Sequence, residues 1–63
     1  MPVIKVDMWE GRDKETKERI IKELTKVFTD MGIPAQAVTV ILNEVSKDNW
    51  GDGGEQASKK LNK

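Results

Sequence analysis

The run Val38-Thr39-Val40-Ile41-Leu42 is almost unbroken in β-forming residues, and it decides the fold. It predicts a strand over Val38–Val45 that is buried on both faces, because only a strand without a solvent-facing side lacks polar alternation. Near the amino terminus, Val3–Trp9 also predicts a strand, with β-branched and large apolar residues in partial alternation. The chain therefore contains two predicted strands with a long segment between them.

That segment predicts one amphipathic helix. Asp13 is a plausible N-cap, Gly32 a natural C-terminal residue, and Pro34 prevents continuation. One apolar stripe runs along the helix, with spacings of three, four and seven residues; it comprises Ile20, Ile21, Leu24, Val27, Phe28 and Met31. A strand, a helix and a second strand predict a βαβ unit with parallel strands and a right-handed crossover.

The remainder of the chain predicts less regular structure. Residues 47–54 are dense in turn residues and predict a hairpin or an irregular loop. Glu55–Lys63 predicts a short helical turn or a frayed tail. With 63 residues, the chain is expected to form a single domain over 1–63. One helix covers only one face of the sheet, so we expect another copy of the chain to cover the other face.

The composition argues against several classes of function. Eleven basic and eleven acidic residues balance, which makes nucleic acid a poor candidate partner. With no His and no Cys, disulfides are absent and a zinc site is improbable. The sequence shows no membrane span and no signal peptide, so no membrane partner and a cytoplasmic location are expected.

Pro2 stands directly behind Met1 and is the most informative residue for chemistry. If Met1 is removed, Pro2 presents a secondary amine whose reference pKa is already near neutral. Burial or a neighbouring arginine would lower that pKa and leave a free base at pH 7, suited to proton abstraction. If Met1 is retained, Pro2 is an ordinary tertiary amide without basicity, and the chain is then expected to be a non-catalytic assembly protein.

Three segments in order resemble the 4-oxalocrotonate tautomerase family: Met1-Pro2, Glu10-Gly11-Arg12 before the helix, and the run from Asn43 to Ser58. The resemblance implies an α/β (α+β) protomer, a βαβ unit with a C-terminal β-hairpin. It also implies dimers that pair their sheets, a homohexamer, and an isomerase without cofactor or metal.

The same resemblance implies the site. Pro2 would be the catalytic base, and Arg12 would bind a carboxylate of a small anionic 2-keto or 2-hydroxy acid such as 2-hydroxymuconate. Trp50 would wall the site, and Trp9 would line its apolar pocket. Thr39 occupies the position of a second family arginine, and threonine supplies neither a cation nor a bidentate fork.

Asp52 provides an alternative. Its position resembles that of a water-activating glutamate in the related trans-3-chloroacrylic acid dehalogenases, and this resemblance implies that Asp52 could activate water, together with Pro2, for hydration or for hydrolytic dehalogenation of 3-haloacrylates. An aspartate between two glycines is more commonly a turn residue. The sequence leaves both interpretations open.

Overall fold

Two parallel strands joined by a long helix form the body of the protein in the computed structural model, which describes residues 1–60. The elements in chain order are β1 (Val3–Trp9), α1 (Lys14–Thr29), β2 (Thr39–Val45), β3 (Gly51–Asp52), β4 (Glu55–Gln56) and α2 (Ala57–Lys60). Strands β3 and β4 pair antiparallel as a hairpin. The predicted βαβ unit and C-terminal hairpin are confirmed. The last three residues of the predicted tail lie outside the described part.

The two long strands pair over their full length. Val3 lies opposite Thr39 and Trp9 lies opposite Val45. Because the strands are parallel, both begin at one edge of the sheet and both end at the other. The edge formed by Pro2 and Thr39 is called the amino edge below, and the edge formed by Trp9 and Val45 the carboxyl edge.

Both ends of α1 are capped as the sequence predicts. The Asp13 carboxylate accepts a hydrogen bond of 2.9 Å from the Thr16 N–H, which lowers the pKa of Asp13. At the other end, the N–H groups of Gly32 and Ile33 donate to carbonyls of the last helical turn at 3.0 and 3.1 Å. Gly32 has φ +92°, the left-handed conformation that this C-terminal pattern requires.

The predicted start of β2 is wrong by one residue. The Val38 N–H donates to the Ala35 carbonyl at 3.1 Å and closes a short 3-10 turn over Ala35–Ala37. The backbone N–H of Val38 is therefore hydrogen-bonded within the turn, and the strand begins at Thr39.

Helix α1 packs on one face of the sheet and leaves the other face open. The side chains facing the helix are half-buried: Ile4, Val6, Met8, Val40 and Leu42. On the opposite face Val3 is 55% exposed and Ile41 44%. In the single chain β2 is thus buried on one face only, and burial of its second face remains a prediction about the assembly.

The chain is also extended for its size. Its radius of gyration is 14.8 Å, whereas a compact domain of this length would have a value of about 11 Å. Within residues 1–60, no helix combines the length and apolar character that a membrane crossing requires.

Candidate active site

An aromatic pair marks the carboxyl edge. The rings of Trp9 and Trp50 meet edge to face, with centroids 5.8 Å apart and planes inclined by 74°. Trp50 reaches Trp9 because a 3-10 turn over Lys47–Asn49 folds the chain back after β2. The Trp50 carbonyl then accepts a hydrogen bond of 2.7 Å from Ala57, whose side chain is only 2% exposed. The base of the hairpin therefore fixes Trp50 against the sheet.

Arg12 lies at the same edge. Gly11, with φ +117°, turns the chain out of β1 immediately before it. One guanidinium nitrogen, Nη1, donates to the Trp9 carbonyl at 3.3 Å. Within residues 1–60 Arg12 has no carboxylate within 4 Å, so most of its donors remain available for a ligand. Three predicted site residues, Trp9, Arg12 and Trp50, are thus brought together.

An ion pair beside Arg12 joins the helix to the sheet. The Lys17 ammonium donates to Glu44 Oε1 at 2.6 Å, from the second turn of α1 to the end of β2. This hydrogen bond lowers the pKa of Glu44, with smaller contributions from the Gly11 backbone and the Arg12 charge. Glu44 therefore braces the loop that carries Arg12. The pair is not predicted from the sequence, although Glu44 falls on the helix-facing side of the β2 alternation.

Lys47 is a second cation that the sequence analysis missed. Its ammonium lies over the Trp9 ring, 4.9 Å from the centroid. The indole N–H of Trp9 is buried and has no acceptor among the described residues. A buried donor without an acceptor costs about 1–3 kcal/mol, so an acceptor supplied from outside the chain would stabilise this edge.

The amino edge holds two more of the predicted residues, Pro2 and Thr39. Thr39 donates its backbone N–H to the Pro2 carbonyl at 3.0 Å. Pro2 is half-buried, whereas Met1 is 93% exposed and projects into solvent. While Met1 is attached, the Pro2 nitrogen belongs to a tertiary amide and has no basicity.

The structure does not bring Pro2 to Arg12 within one chain. They flank β1, whose seven residues span roughly 20 Å at a rise of about 3.3 Å per residue. A small acid cannot bridge that distance. The predicted site residues consequently form two groups, Pro2 with Thr39 and Arg12 with the tryptophan pair.

Asp52 belongs to neither group. It lies on the exposed strand β3 opposite Glu55, and its carboxylate makes no hydrogen bond to a residue of 1–60. Its pairing with Glu55 fits the turn interpretation. Over the same residues, no group of three or more acidic side chains is arranged to hold a metal ion.

A shallow groove lies on the open sheet face, and none of the predicted site residues lines it. It is lined by Lys5, Asp7, Ile41 and Asn43, and the Asn43 amide donates to the Asp7 carboxylate at 2.9 Å. These side chains lie between the two edges and contain none of the predicted catalytic groups.

Comparison with known proteins gives a consistent result. The sequence model of the family described as "Tautomerase enzyme" matches residues 2–60. A 2-hydroxymuconate tautomerase of Pseudomonas putida is 38% identical over 60 residues, which cover 94% of this chain and 95% of the relative.

Solved structures agree with the sequence comparison. TomN, a 4-oxalocrotonate tautomerase homologue in the tomaymycin biosynthetic pathway, superposes with a TM-score of 0.92 at 28% identity, covering 98% of this chain and 97% of TomN. A heterohexamer 4-oxalocrotonate tautomerase from Chloroflexus aurantiacus J-10-fl gives 0.85 at 27% identity, covering 94% and 97%.

Proposed function

The chain belongs to the tautomerase family and is an isomerase that interconverts enol and keto forms, and we propose that its substrate is a 2-hydroxydienoate of the 2-hydroxymuconate type. In this proposal the amine of Pro2 is the general base, Arg12 binds a substrate carboxylate, and the two tryptophans form the apolar wall. The matched relative from Pseudomonas putida is named for the 2-hydroxymuconate reaction.

The observation that carries the proposal is the hydrogen bond from Arg12 to the backbone carbonyl of Trp9, whose ring packs against Trp50. A guanidinium whose donors are not taken up by carboxylates of the described residues is bonded to the Trp9 backbone, at the edge of the sheet where the two indole rings meet. Its planar fork matches a carboxylate, and the rings exclude water from the carbon chain of a diene. This arrangement suits a small, flat, anionic and partly apolar substrate.

The chemistry is a proton transfer that needs one base. The free Pro2 amine takes the hydroxyl proton of the 2-hydroxydienoate and becomes a secondary ammonium. The electron pair shifts along the diene, and the ammonium returns a proton to carbon, which yields the 2-keto isomer. The amine is regenerated in the same cycle, so no cofactor is consumed.

The separation of Pro2 from Arg12 makes the site composite. A complete site needs Pro2 from one chain and Arg12 with the tryptophan pair from another, because roughly 20 Å separates the two groups in one chain. The exposed side chains of Val3 and Ile41 on the open sheet face supply apolar surface for that association. We therefore propose that the functional species is an oligomer of copies, a dimer or a hexamer.

Thr39 adjusts the substrate preference. It adjoins Pro2 through the backbone hydrogen bond and offers a neutral hydroxyl. A carboxylate or keto oxygen near Pro2 therefore meets no cation from this position. Other donors must orient that end of the substrate. We expect turnover of 2-hydroxymuconate with a KM higher than that of a tautomerase with an arginine at this position.

The alternative of a hydratase or dehalogenase is not favoured. Asp52 lies in an exposed hairpin, and the relatives named above are tautomerases. A non-catalytic assembly protein is likewise not favoured, since nothing in the comparisons separates this chain from the enzymes of the family.

An absorbance assay tests the proposal directly. Protein whose mass shows complete loss of Met1 is mixed with 2-hydroxymuconate, and disappearance of the dienol is followed. Turnover that requires Pro2 supports the proposal. If protein without Met1 converts neither 2-hydroxymuconate nor an enolised arylpyruvate, the proposed function is wrong.

A further inference from the structure

Two cations at the carboxyl edge contact the same tryptophan. Arg12 Nη1 donates to the Trp9 carbonyl at 3.3 Å, and Lys47 Nζ lies 4.9 Å from the centroid of the Trp9 ring. The only cation of this edge with a close carboxylate among residues 1–60 is Lys17, which pairs with Glu44. Arg12, bonded to the Trp9 backbone, and Lys47, over the Trp9 ring, therefore both have donors to spare at this edge.

The backbone beneath Lys47 is held in place. The Ser46 hydroxyl accepts a hydrogen bond of 3.2 Å from the Asp48 N–H, and the Gln56 amide donates to the Asp48 carbonyl at 2.9 Å. The first bond caps the 3-10 turn, and the second ties the turn to the hairpin after it. The neighbouring carboxylate of Asp48 forms no ion pair with Lys47. Only the lysine side chain has to move to meet a ligand.

A dicarboxylate bound against the Trp9–Trp50 pair would require a second cation. A dicarboxylate held by Arg12 along the Trp9–Trp50 pair would bring its second charge against indole carbon. An unpaired carboxylate there would lose hydration without compensation. Thr39 supplies no positive charge, so the countercharge has to come from another residue.

We infer that Lys47 is that residue: it is a second anion-binding group beside Arg12, and it makes the site selective for dicarboxylates over monocarboxylates. The inference rests on the proposed function, because it assumes that Arg12 and the tryptophan pair bind substrate. The ring of Trp9 holds the ammonium at the wall, and its three N–H groups remain able to donate to a carboxylate.

Two inert acids test the inference without turnover. Muconate has two carboxylates but no 2-hydroxyl group, and sorbate has the same six-carbon diene with a methyl group in place of one carboxylate. Affinities are measured by isothermal titration calorimetry at low ionic strength. The change in tryptophan fluorescence locates the binding, since Trp9 and Trp50 are the two tryptophans of the chain.

We expect wild-type protein to bind muconate about tenfold more tightly than sorbate, as one charge-assisted hydrogen bond provides. Lys47→Gln and Lys47→Met should lose most of this preference while sorbate affinity changes less than about twofold. The methionine variant keeps a flexible apolar stem against the Trp9 ring, so it separates packing from charge. Lys47→Arg should retain the preference.

Lys22→Gln is the matched control, because Lys22 is an exposed lysine on α1 and its loss changes the net charge equally. The inference is overturned if wild type shows no preference or binds neither acid. It is equally overturned if both Lys47 variants keep the preference, or lose affinity for the two acids to the same extent. Turnover of 2-hydroxymuconate by wild type remains a separate test, so failure of the inference and failure of the proposed function are distinguishable.

Discussion

Pro2 and Arg12 lie at opposite edges of the parallel sheet, separated by the whole of β1. The chain places its candidate base with Thr39 and its candidate carboxylate-binding residue with two tryptophans. A βαβ unit cannot fold these two edges together, because the strands between them are extended and paired throughout. Association of chains is therefore part of the catalytic hypothesis and not an addition to it.

Replacement of the base should abolish most of the activity. In protein that has lost Met1, Pro2→Ala replaces the secondary ring amine with a more mobile primary amine, so kcat should fall by about tenfold to a hundredfold, less than complete removal of a general base would cost. The rate is measured by dienol absorbance with 2-hydroxymuconate. Arg19→Gln is the control, since Arg19 is exposed on α1 and belongs to neither group of predicted site residues. Equal rates for Pro2→Ala and wild type would refute the role of Pro2.

Arg12 should act mainly on substrate binding. We expect Arg12→Gln to raise KM for 2-hydroxymuconate by about tenfold or more, since a bidentate ion pair with the carboxylate is lost. Arg12→Lys should restore little of the lost substrate affinity, because an ammonium lacks the planar, bidentate donor fork of a guanidinium. The chain has one other arginine, Arg19, which is exposed on α1 and whose glutamine variant serves as the control. An unchanged KM in Arg12→Gln would remove Arg12 from the site.

The Lys17–Glu44 pair should make stability depend on pH in acid. The pKa of Glu44 in the folded protein is lowered from 4.5, chiefly by its hydrogen bond with Lys17. Its stabilising contribution is therefore complete above pH 4.5 and is lost as the pH falls through the folded pKa.

Thermal unfolding of wild type and Glu44→Gln measures this contribution. The difference in Tm between them should be largest near neutral pH and should shrink as the pH falls below 4.5. Glu23→Gln, at an exposed position on α1, should show no such trend. A Tm difference that stays constant between neutral pH and strong acid would contradict the assignment.

Charge on the open sheet face should break the assembly. Ile41 is 44% exposed in the single chain and faces away from the helix. Ile41→Asp should therefore shift the sedimentation coefficient from that of an oligomer to that of a single 7.1 kDa chain. Circular dichroism checks that helix and strand persist, and Lys22→Asp is the control for added negative charge. A wild-type chain that sediments as a monomer would disprove the composite site outright.

The sequence carries enough local information to predict the fold. Asp13 and Gly32 predict the two ends of α1. The strand–helix–strand order predicts that the two strands pair in parallel. The start of β2 was misplaced because the Val38–Ala35 hydrogen bond depends on a short turn without a strong sequence signal.

The candidate site was less predictable than the fold. The candidate base Pro2 is indicated by its position behind Met1 and the role of Arg12 by resemblance, whereas their separation follows from topology alone. The contact of Lys47 with Trp9 depends on a 3-10 turn that folds the chain back over the sheet, which no periodicity indicates. The Lys17–Glu44 pair joins residues 27 positions apart, so it emerges only when the helix lies on the sheet.

Subunit complementation tests the central claim most directly. Pro2→Ala and Arg12→Ala chains, each with little activity alone at a substrate concentration well below KM, are unfolded together, refolded as a mixture and assayed with 2-hydroxymuconate. The composite site predicts that activity returns to about a quarter of the wild-type value, because random association pairs an intact Pro2 with an intact Arg12 in about one site in four. A mixture that remains as inactive as its two components would contradict the composite site.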